Sequence, residues 1–353
     1  MVLRKIKILI KILTHIFKLS LKMPKFKKTK TKKISEKKTQ KTKKDSEVKI
    51  DFNYQKIFAV IIIFILIYII FWYFTKHAWS VSGDGIISYL HSGSVNYEKI
   101  FLEETDTEKI YKIIFESRKT KIYALLRIPT INKSNNAKLP GVVVLPGAGM
   151  SKESEKKTPE ALSNAGYITL TLDQRDVGET KENNNETFDL GGDFEKFKNK
   201  KEPITYKMIF DVIAAYHLIK QFNEVDSSKV AVLGISNGGR NAVIAAAIDP
   251  EIKNVMVIST AGYGYDASEN TKDEQTKFYK SIDPDSYIQL ISPGKVVMIH
   301  SENDPGMPLK SAERTFSKAK EPKKFISVSC EIHGYCDEMQ AYLEEELEEF
   351  FGE

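Results

Sequence analysis

The 353-residue chain has no internal repeat, no cluster of His, Cys and carboxylates at metal-ligand spacing, and no glycine-rich loop of the phosphate-binding kind. The first absence sets aside solenoid and propeller architectures. The second gives no basis for a metal centre and the third none for a nucleotide site, so neither cofactor nor metal is expected. Cysteine is scarce: Cys330 and Cys336 are the only two. They allow a single bridge at most, so the fold cannot rest on a disulfide framework. Histidine is scarce as well, with six in the chain, which leaves few candidates for a general base.

Charge is present but unevenly spread. The net charge is +6, yet residues 1–56 hold 19 Lys and Arg against four acids (Glu36, Asp45, Glu47, Asp51), leaving the rest of the chain acidic. Ile57–Phe74 follows, an apolar and aromatic run of 18 residues without a charge. At about 1.5 Å per residue a helix there spans roughly 27 Å, the depth of a bilayer core. It shows no polar face, and Phe71-Trp72-Tyr73-Phe74 suits an interfacial belt. No small-residue cleavage motif closes it, so it reads as an anchor and not as a cleaved signal. Seven lysines lie in the twenty residues before the run and only Lys76 in the twenty after. The positive-inside rule therefore predicts a cytoplasmic N-terminus and a domain outside the cytoplasm. The basic stretch 25–44 reads as disordered and able to rest on anionic lipid. It lacks interleaved aromatics, so no nucleic-acid partner is expected. In residues 1–22, apolar positions such as Ile6, Leu9, Leu13 and Phe17 recur at helical spacing between lysines. Two readings stay open there: an interfacial helix, or a start of translation at Met23.

Past the anchor, residues 75–97 read as a linker and 98–353 as one domain. Tyr111–Glu116 and Lys121–Ile128 read as an N-terminal hairpin. Short apolar runs then alternate with helix-like ones, which predicts a mostly parallel, doubly wound α/β sheet. The run Lys229-Val-Ala-Val-Leu233 is a buried-strand pattern, and Gly239–Ile248 is Ala-rich and helix-like. Between them lies Gly234-Ile-Ser-Asn-Gly238, a G-x-S-x-G turn that would expose the Ser236 hydroxyl. Asp304 follows the strand-like Lys295–His300, and His333 follows Lys324–Ser329. All three would sit at the carboxyl edge of the sheet, where ligands gather in such folds. Glu302, two residues before Asp304, is a rival acid. His217 falls in a helical run and reads as a packing or surface residue; His300 ends a strand and reads as structural.

These residues carry a resemblance. The order nucleophile, acid, histidine, with Gly141-Val-Val-Val-Leu-Pro-Gly-Ala-Gly149 and Gly166-Tyr-Ile-Thr-Leu-Thr-Leu-Asp-Gln-Arg-Asp-Val-Gly-Glu-Thr180, resembles the α/β-hydrolase superfamily over about residues 98–353. Within it the chain is most similar to the dienelactone-hydrolase and prolyl-oligopeptidase-like serine hydrolases. It departs in Pro146-Gly147, where many members have His-Gly, in Asp176, where glycine is usual, and in a Ser nucleophile where dienelactone hydrolases proper use Cys. The resemblance implies a Ser236–His333–Asp304 triad acting on an ester, thioester or small peptide through an acyl-enzyme. The backbone N–H groups of Asn237 and Ala148 would form the oxyanion hole. A non-catalytic binding domain on the same fold is the alternative. The polar, tyrosine-containing stretch Gly262–Tyr287 reads either as a lid or as a solvated excursion. Cys330 and Cys336 bracket His333 and read either as a disulfide or as two buried thiols. Oligomeric state is not legible.

Overall fold

The computed structural model describes residues 60–69, 79–89, 94–130, 137–184, 187–265 and 273–352. The chain divides into two compact units, Met1–His77 and Ala78–Glu353. In the first, residues 60–69 form a helix. Its side chains are apolar and exposed, Phe64 and Tyr68 by about two-thirds (67% and 66%). Among the described residues no helix is long and apolar enough to cross a membrane. The expected span Ile57–Phe74 runs past this helix on both sides, outside the described residues, as do residues 1–22 and the basic stretch 25–44.

The second unit is built on strands β1 (Trp79–Val81), β2 (Ile87–Tyr89), β3 (Tyr97–Glu104), β4 (Glu108–Ser117), β5 (Thr120–Pro129), β6 (Leu139–Leu145), β7 (Ile168–Leu172), β8 (Val225–Ile235), β9 (Asn254–Ile258), β10 (Lys295–Ser301) and β11 (Lys323–Val328). Nine of them form one sheet in the order β11-β10-β9-β8-β6-β7-β5-β4-β3. The six strands from β6 onward pair in parallel, and β3, β4 and β5 add an antiparallel edge. This is the α/β-hydrolase arrangement the sequence predicts. Both faces are buried, as a parallel sheet requires. In β8, Val230 and Val232 face one cluster while Ala231, Leu233 and Ile235 face the other. The period of two in the chain thus splits one apolar run between two cores. Each Val, Leu or Ile among them fully withdrawn from water contributes about 1.5–3 kcal/mol before conformational entropy is counted.

The eight helices described in this unit are α1 (Lys157–Asn164), α2 (Gly178–Asn184), α3 (Leu190–Lys198), α4 (Ile204–Ile219), α5 (Asn237–Ile248), α6 (Glu274–Ile282), α7 (Leu309–Ser317) and α8 (Gln340–Phe351). Side chains of α4 and α5 fill one core; Leu162 of α1 and Leu343 and Leu347 of α8 fill the other. Helix α4 is apolar around nearly its whole circumference, which suits a buried helix. Its first N–H groups find a partner in buried Asp193, which accepts from Ile204 N and Thr205 N, both at 2.8 Å. That satisfies donors a helix start leaves open.

Three details add to the sequence expectations or correct them. Within the stretch read as a linker, β1 and β2 form a hairpin that belongs to this unit. Ile87 is buried, its N–H donates to Tyr287 Oη at 3.0 Å, and Trp79 meets the edge of Tyr206 at 5.2 Å. Apolar side chains recruit this short segment to the core. The β4–β5 hairpin turns at Arg118 and Lys119, with φ of 48° and 63°. A two-residue hairpin turn needs positive φ, and neither residue advertises it. Of the stretch Gly262–Tyr287, Phe278, Ile282 and Tyr287 are core residues, so this part is no solvated excursion; residues 266–272 lie outside the described residues.

Candidate active site

The parallel strands run so that the segments after β6, β7, β8, β9 and β10 emerge at one edge. The chain passes from β6 to β7 on one side and later returns to β8 on the other. Such a switch in direction opens a crevice at the carboxyl ends of the strands.

Ser236 stands at the tip of β8 with φ 53° and ψ −115°, and α5 begins at the next residue. The turn is tight enough that a Cβ at Gly238 would lie 2.3 Å from the Leu145 carbonyl oxygen. Only glycine fits there, which is the physical content of the G-x-S-x-G pattern. The Ser236 N–H donates to Ile258 O at 2.9 Å, which pins the turn to β9. Asn237 is the first residue of α5, so its N–H is among those a helix start leaves free.

Ser236, Asp304 and His333 come together although 97 and 29 positions separate them in the chain. His333 Nε2 lies 2.8 Å from Ser236 Oγ, and His333 Nδ1 lies 2.8 and 3.0 Å from the two Asp304 oxygens. The Gly306 backbone packs against the imidazole: a Cβ there would approach His333 Cγ to 2.9 Å. Asp304 Oδ1 also accepts from Gly306 N and Met307 N at 2.8 Å each. Burial alone raises the Asp304 pKa, but the Ser259 hydroxyl, these two N–H groups and His333 together outweigh it and hold the carboxyl below its ordinary range. The rival acid Glu302 is exposed and its partner is Ser327 Oγ at 3.4 Å, away from the imidazole.

Two polar residues support this line. Ser259, at the end of β9, is fully buried with φ 49°. It accepts the Gly334 N–H at 2.9 Å and donates to Asp304. His300 is fully buried, with Nε2 2.8 Å from Met307 O and 3.9 Å from Asp304 Oδ2. Burial lowers its pKa, against the opposing pull of Met307 O and Asp304. His217 pairs instead with Asp249, just past α5, at 2.8 Å; His15, His77 and His91 lie outside the described residues. Ser259 carries no local signal in the chain, because its partners come from two other loops.

The loop after β6 faces the same serine. A Cβ at Gly147 would lie 3.6 Å from Ser236 Cβ, and Met150 N donates to Gly147 O at 3.2 Å, closing a turn with Ala148 at its exposed tip. Beneath it lies Gln174, buried and bonded to both the loop and α5. Cys330 and Cys336 are joined in a disulfide with Cα atoms 6.8 Å apart. These sulfurs and Glu338 form the one cluster of potential metal ligands among the described residues. A disulfide leaves no thiolate to ligate a metal.

Residues 93–286 match the family model described as acetyl xylan esterase (AXE1). By sequence, the chain is 29% identical over 134 residues to the uncharacterized protein YfhR of Escherichia coli O157:H7, a match covering 37% of this chain and 47% of that protein. It thus spans about half the length of the curated relatives it matches. By structure, it resembles acetyl xylan esterase 1 from Thermoanaerobacterium sp. JW/SL YS485, with a TM-score of 0.59 at 16% identity over 73% of this chain and 89% of that one. The acetyl xylan esterase from Paenibacillus sp. R4 gives a TM-score of 0.60 at 16% identity, over 72% and 89%. At such identity the structural likeness speaks for the fold.

Proposed function

The chain belongs to the acetyl xylan esterase (AXE1) family, and from that premise we propose that it hydrolyses short acyl esters of a polyhydroxylated alcohol through Ser236, His333 and Asp304. One observation carries the reading: the unbroken hydrogen-bonded line Asp304–His333–Ser236 at the carboxyl edge of β8. Ser236 Oγ attacks the ester carbonyl as His333 Nε2 takes its proton. Asp304, itself held by Gly306 N and Met307 N, keeps Nδ1 protonated and stabilises the imidazolium. The tetrahedral oxyanion lies between the N–H groups of Asn237 and Ala148. On its collapse the C–O bond breaks and His333 hands its proton to the leaving alcohol. Water then attacks the acyl-Ser236 ester with His333 as base, releasing the carboxylate and restoring the serine.

The assembled line of three residues favours turnover over a binding-only role. The family favours an ester over a thioester or peptide bond. Fluorophosphonate labelling with wild type and Ser236→Ala, followed by turnover of acetyl, butyryl and octanoyl esters and of an aminoacyl anilide, tests it. Labelling of the Ala variant equal to wild type would sink the assignment.

Ile57–Phe74 anchors this hydrolase in a membrane with the catalytic unit outside the cytoplasm. The charge-free apolar run, the exposed apolar side chains of helix 60–69 and the lysine excess before it support that reading. The Cys330–Cys336 disulfide suits an oxidising compartment. Alkaline carbonate extraction and protease treatment of spheroplasts test it: the protein should stay with membranes and lose its C-terminal domain to external protease. A protected domain overturns the orientation.

A further inference from the structure

Asp173 and Gln174 are consecutive residues just past β7, and between them they hold both ends of the loop that follows β6. Asp173 grips the far end: Oδ1 accepts the Lys152 N–H at 2.7 Å, and Oδ2 accepts Lys152 Nζ at 2.8 Å. Lys152 is almost wholly buried, and Glu179 Oε2 at 2.9 Å and Glu153 Oε1 at 2.6 Å complete its shell. Gln174 grips the near end: its Nε2 donates to Pro146 O at 2.5 Å. The other half of the same amide reaches across to the nucleophile helix. Gln174 Oε1 accepts from Asn237 Nδ2 at 3.3 Å and from Asn241 Nδ2 at 3.1 Å. The Pro146 carbonyl can only accept, so it fixes which end of the amide is nitrogen and leaves Oε1 to the two asparagine amides.

We propose that Gln174 is a positioning residue for the oxyanion hole, setting the distance between the loop that carries the Ala148 N–H and the helix start that carries the Asn237 N–H. This rests on the serine-hydrolase reading above. The two donors belong to separate segments after β6 and β8, which pass close to each other at Gly147 and Gly238. Glycines permit that approach but do not enforce it. A single planar amide, buried to 7% exposure and bonded on both sides, does. Pro146 lies one residue past the end of β6, and Gln174 donates to its carbonyl, so removing Gln174 takes a partner from a buried acceptor and loosens that end of the loop. An oxyanion exists in the transition state and not in the bound ester, so misplaced donors cost kcat and leave KM nearly untouched.

Two variants of the full chain test this on p-nitrophenyl acetate between pH 6 and 8.5, with melting temperature measured alongside. Gln174→Met keeps the volume and removes both hydrogen-bonding ends. Gln174→Glu keeps the acceptor for Asn237 and Asn241, and loses the donor to Pro146 only while ionised. Loss of a whole oxyanion donor costs about 10²–10³ in kcat, so Q174M should lose roughly 10–100-fold in kcat with KM changed by less than about twofold. Q174E should show a similar loss at the alkaline end, and, because burial at this position raises a carboxyl pKa, its kcat relative to wild type should recover toward pH 6 as the carboxyl regains a proton to donate. A merely structural role would lower the melting temperature without tilting that ratio. The proposal is overturned if folded Q174M keeps kcat within about twofold of wild type, or if the Q174E ratio is flat with pH. Should Q174M not fold, the Q174E ratio decides. Ser236→Ala in the same assay separates the two levels: its retained turnover would remove the serine-hydrolase reading itself, whereas its inactivity beside a normal Q174M removes the positioning role alone.

Discussion

Asp304 Oδ1 lies 2.8 Å from His333 Nδ1 while accepting two backbone N–H groups of its own loop. The Asp304 carboxylate is therefore held by its own loop as well as by the imidazole. Its loop is tied in turn to the histidine loop, since Asn303 N donates to Cys330 O at 3.2 Å. Position along the sequence does not distinguish Asp304 from Glu302, but this wiring does.

Asp304→Asn should accordingly cost turnover heavily, on the order of 10⁴-fold, because an amide that keeps its N–H toward His333 stabilises the wrong tautomer. Glu302→Gln alters an exposed side chain bonded to Ser327 and should leave kcat within about twofold, as expected for surface changes. Steady-state kinetics of the two variants decide it. The reverse ranking would transfer the role to Glu302.

Ser236 carries a side chain at φ 53° and ψ −115°, a conformation that non-glycine residues rarely hold and that costs about 1–3 kcal/mol. Ser236→Gly and Ser236→Ala both remove the hydroxyl and its bond to His333. Only the glycine releases the strain. The glycine variant should therefore melt a few degrees above the alanine variant, at about 2–4 °C per kcal/mol for a domain of this size. Equal melting temperatures would mean that the elbow stores no strain.

Acid pH should weaken the fold in two separable windows. His300 is buried and its pKa is lowered, first by that burial. The unfolded chain therefore binds a proton that the folded one refuses, and stability falls as pH drops below the unfolded histidine pKa of about 6.5. Asp304 has a lowered carboxyl pKa: burial opposes the shift, but its donors prevail. Its contribution is present above the unfolded value of about 3.9 and is lost only as pH falls through the lower folded value. His300→Gln, which keeps a donor for Met307 O, should flatten the loss between pH 7 and 5 and leave the loss below pH 4. Urea midpoints across that range measure both. An unchanged slope above pH 5 would remove His300 from the account.

The sheet and the meeting of Ser236, Asp304 and His333 at its carboxyl edge were legible because each announces itself locally. Val142–Leu145, Val230–Leu233 and Val296–Ile299 are runs of buried-strand type, and all lie within β6, β8 and β10. The elbow needs glycines that the sequence prints. What stayed hidden depends on partners far apart in the chain. Ser259 and Gln174 are ordinary polar residues until folding sets one beside Gly334 and Asp304, and the other between Pro146 and Asn241. The β1–β2 hairpin was hidden for the same reason. Trp79 and Ile87 look like linker residues until Tyr206 and Tyr287 receive them.

The two cysteines lie six positions apart, with His333 midway between them, and the disulfide closes that loop. One end follows β11, where Cys330 N bonds to Val328 O at 2.8 Å; the other leads into α8, where Met339 N bonds to Cys336 O at 3.0 Å. Both half-cystines are buried in the core beneath α8, while the histidine between them stays partly exposed. Closing so short a loop limits the unfolded chain only modestly, by about 2 kcal/mol on the loop-entropy model. The local effect is larger, because the bridge restrains the segment whose imidazole must reach both Ser236 and Asp304. The Cys330→Ser/Cys336→Ser double variant should therefore melt several degrees lower and, well below its melting point, lose kcat at nearly constant KM. Wild type treated with a reductant should follow it, with two thiols appearing on titration. Loss of stability with kcat intact would make the bridge a staple for the fold and leave the histidine loop held by Ser259, by the Asn303–Cys330 backbone bond and by packing on Gly306.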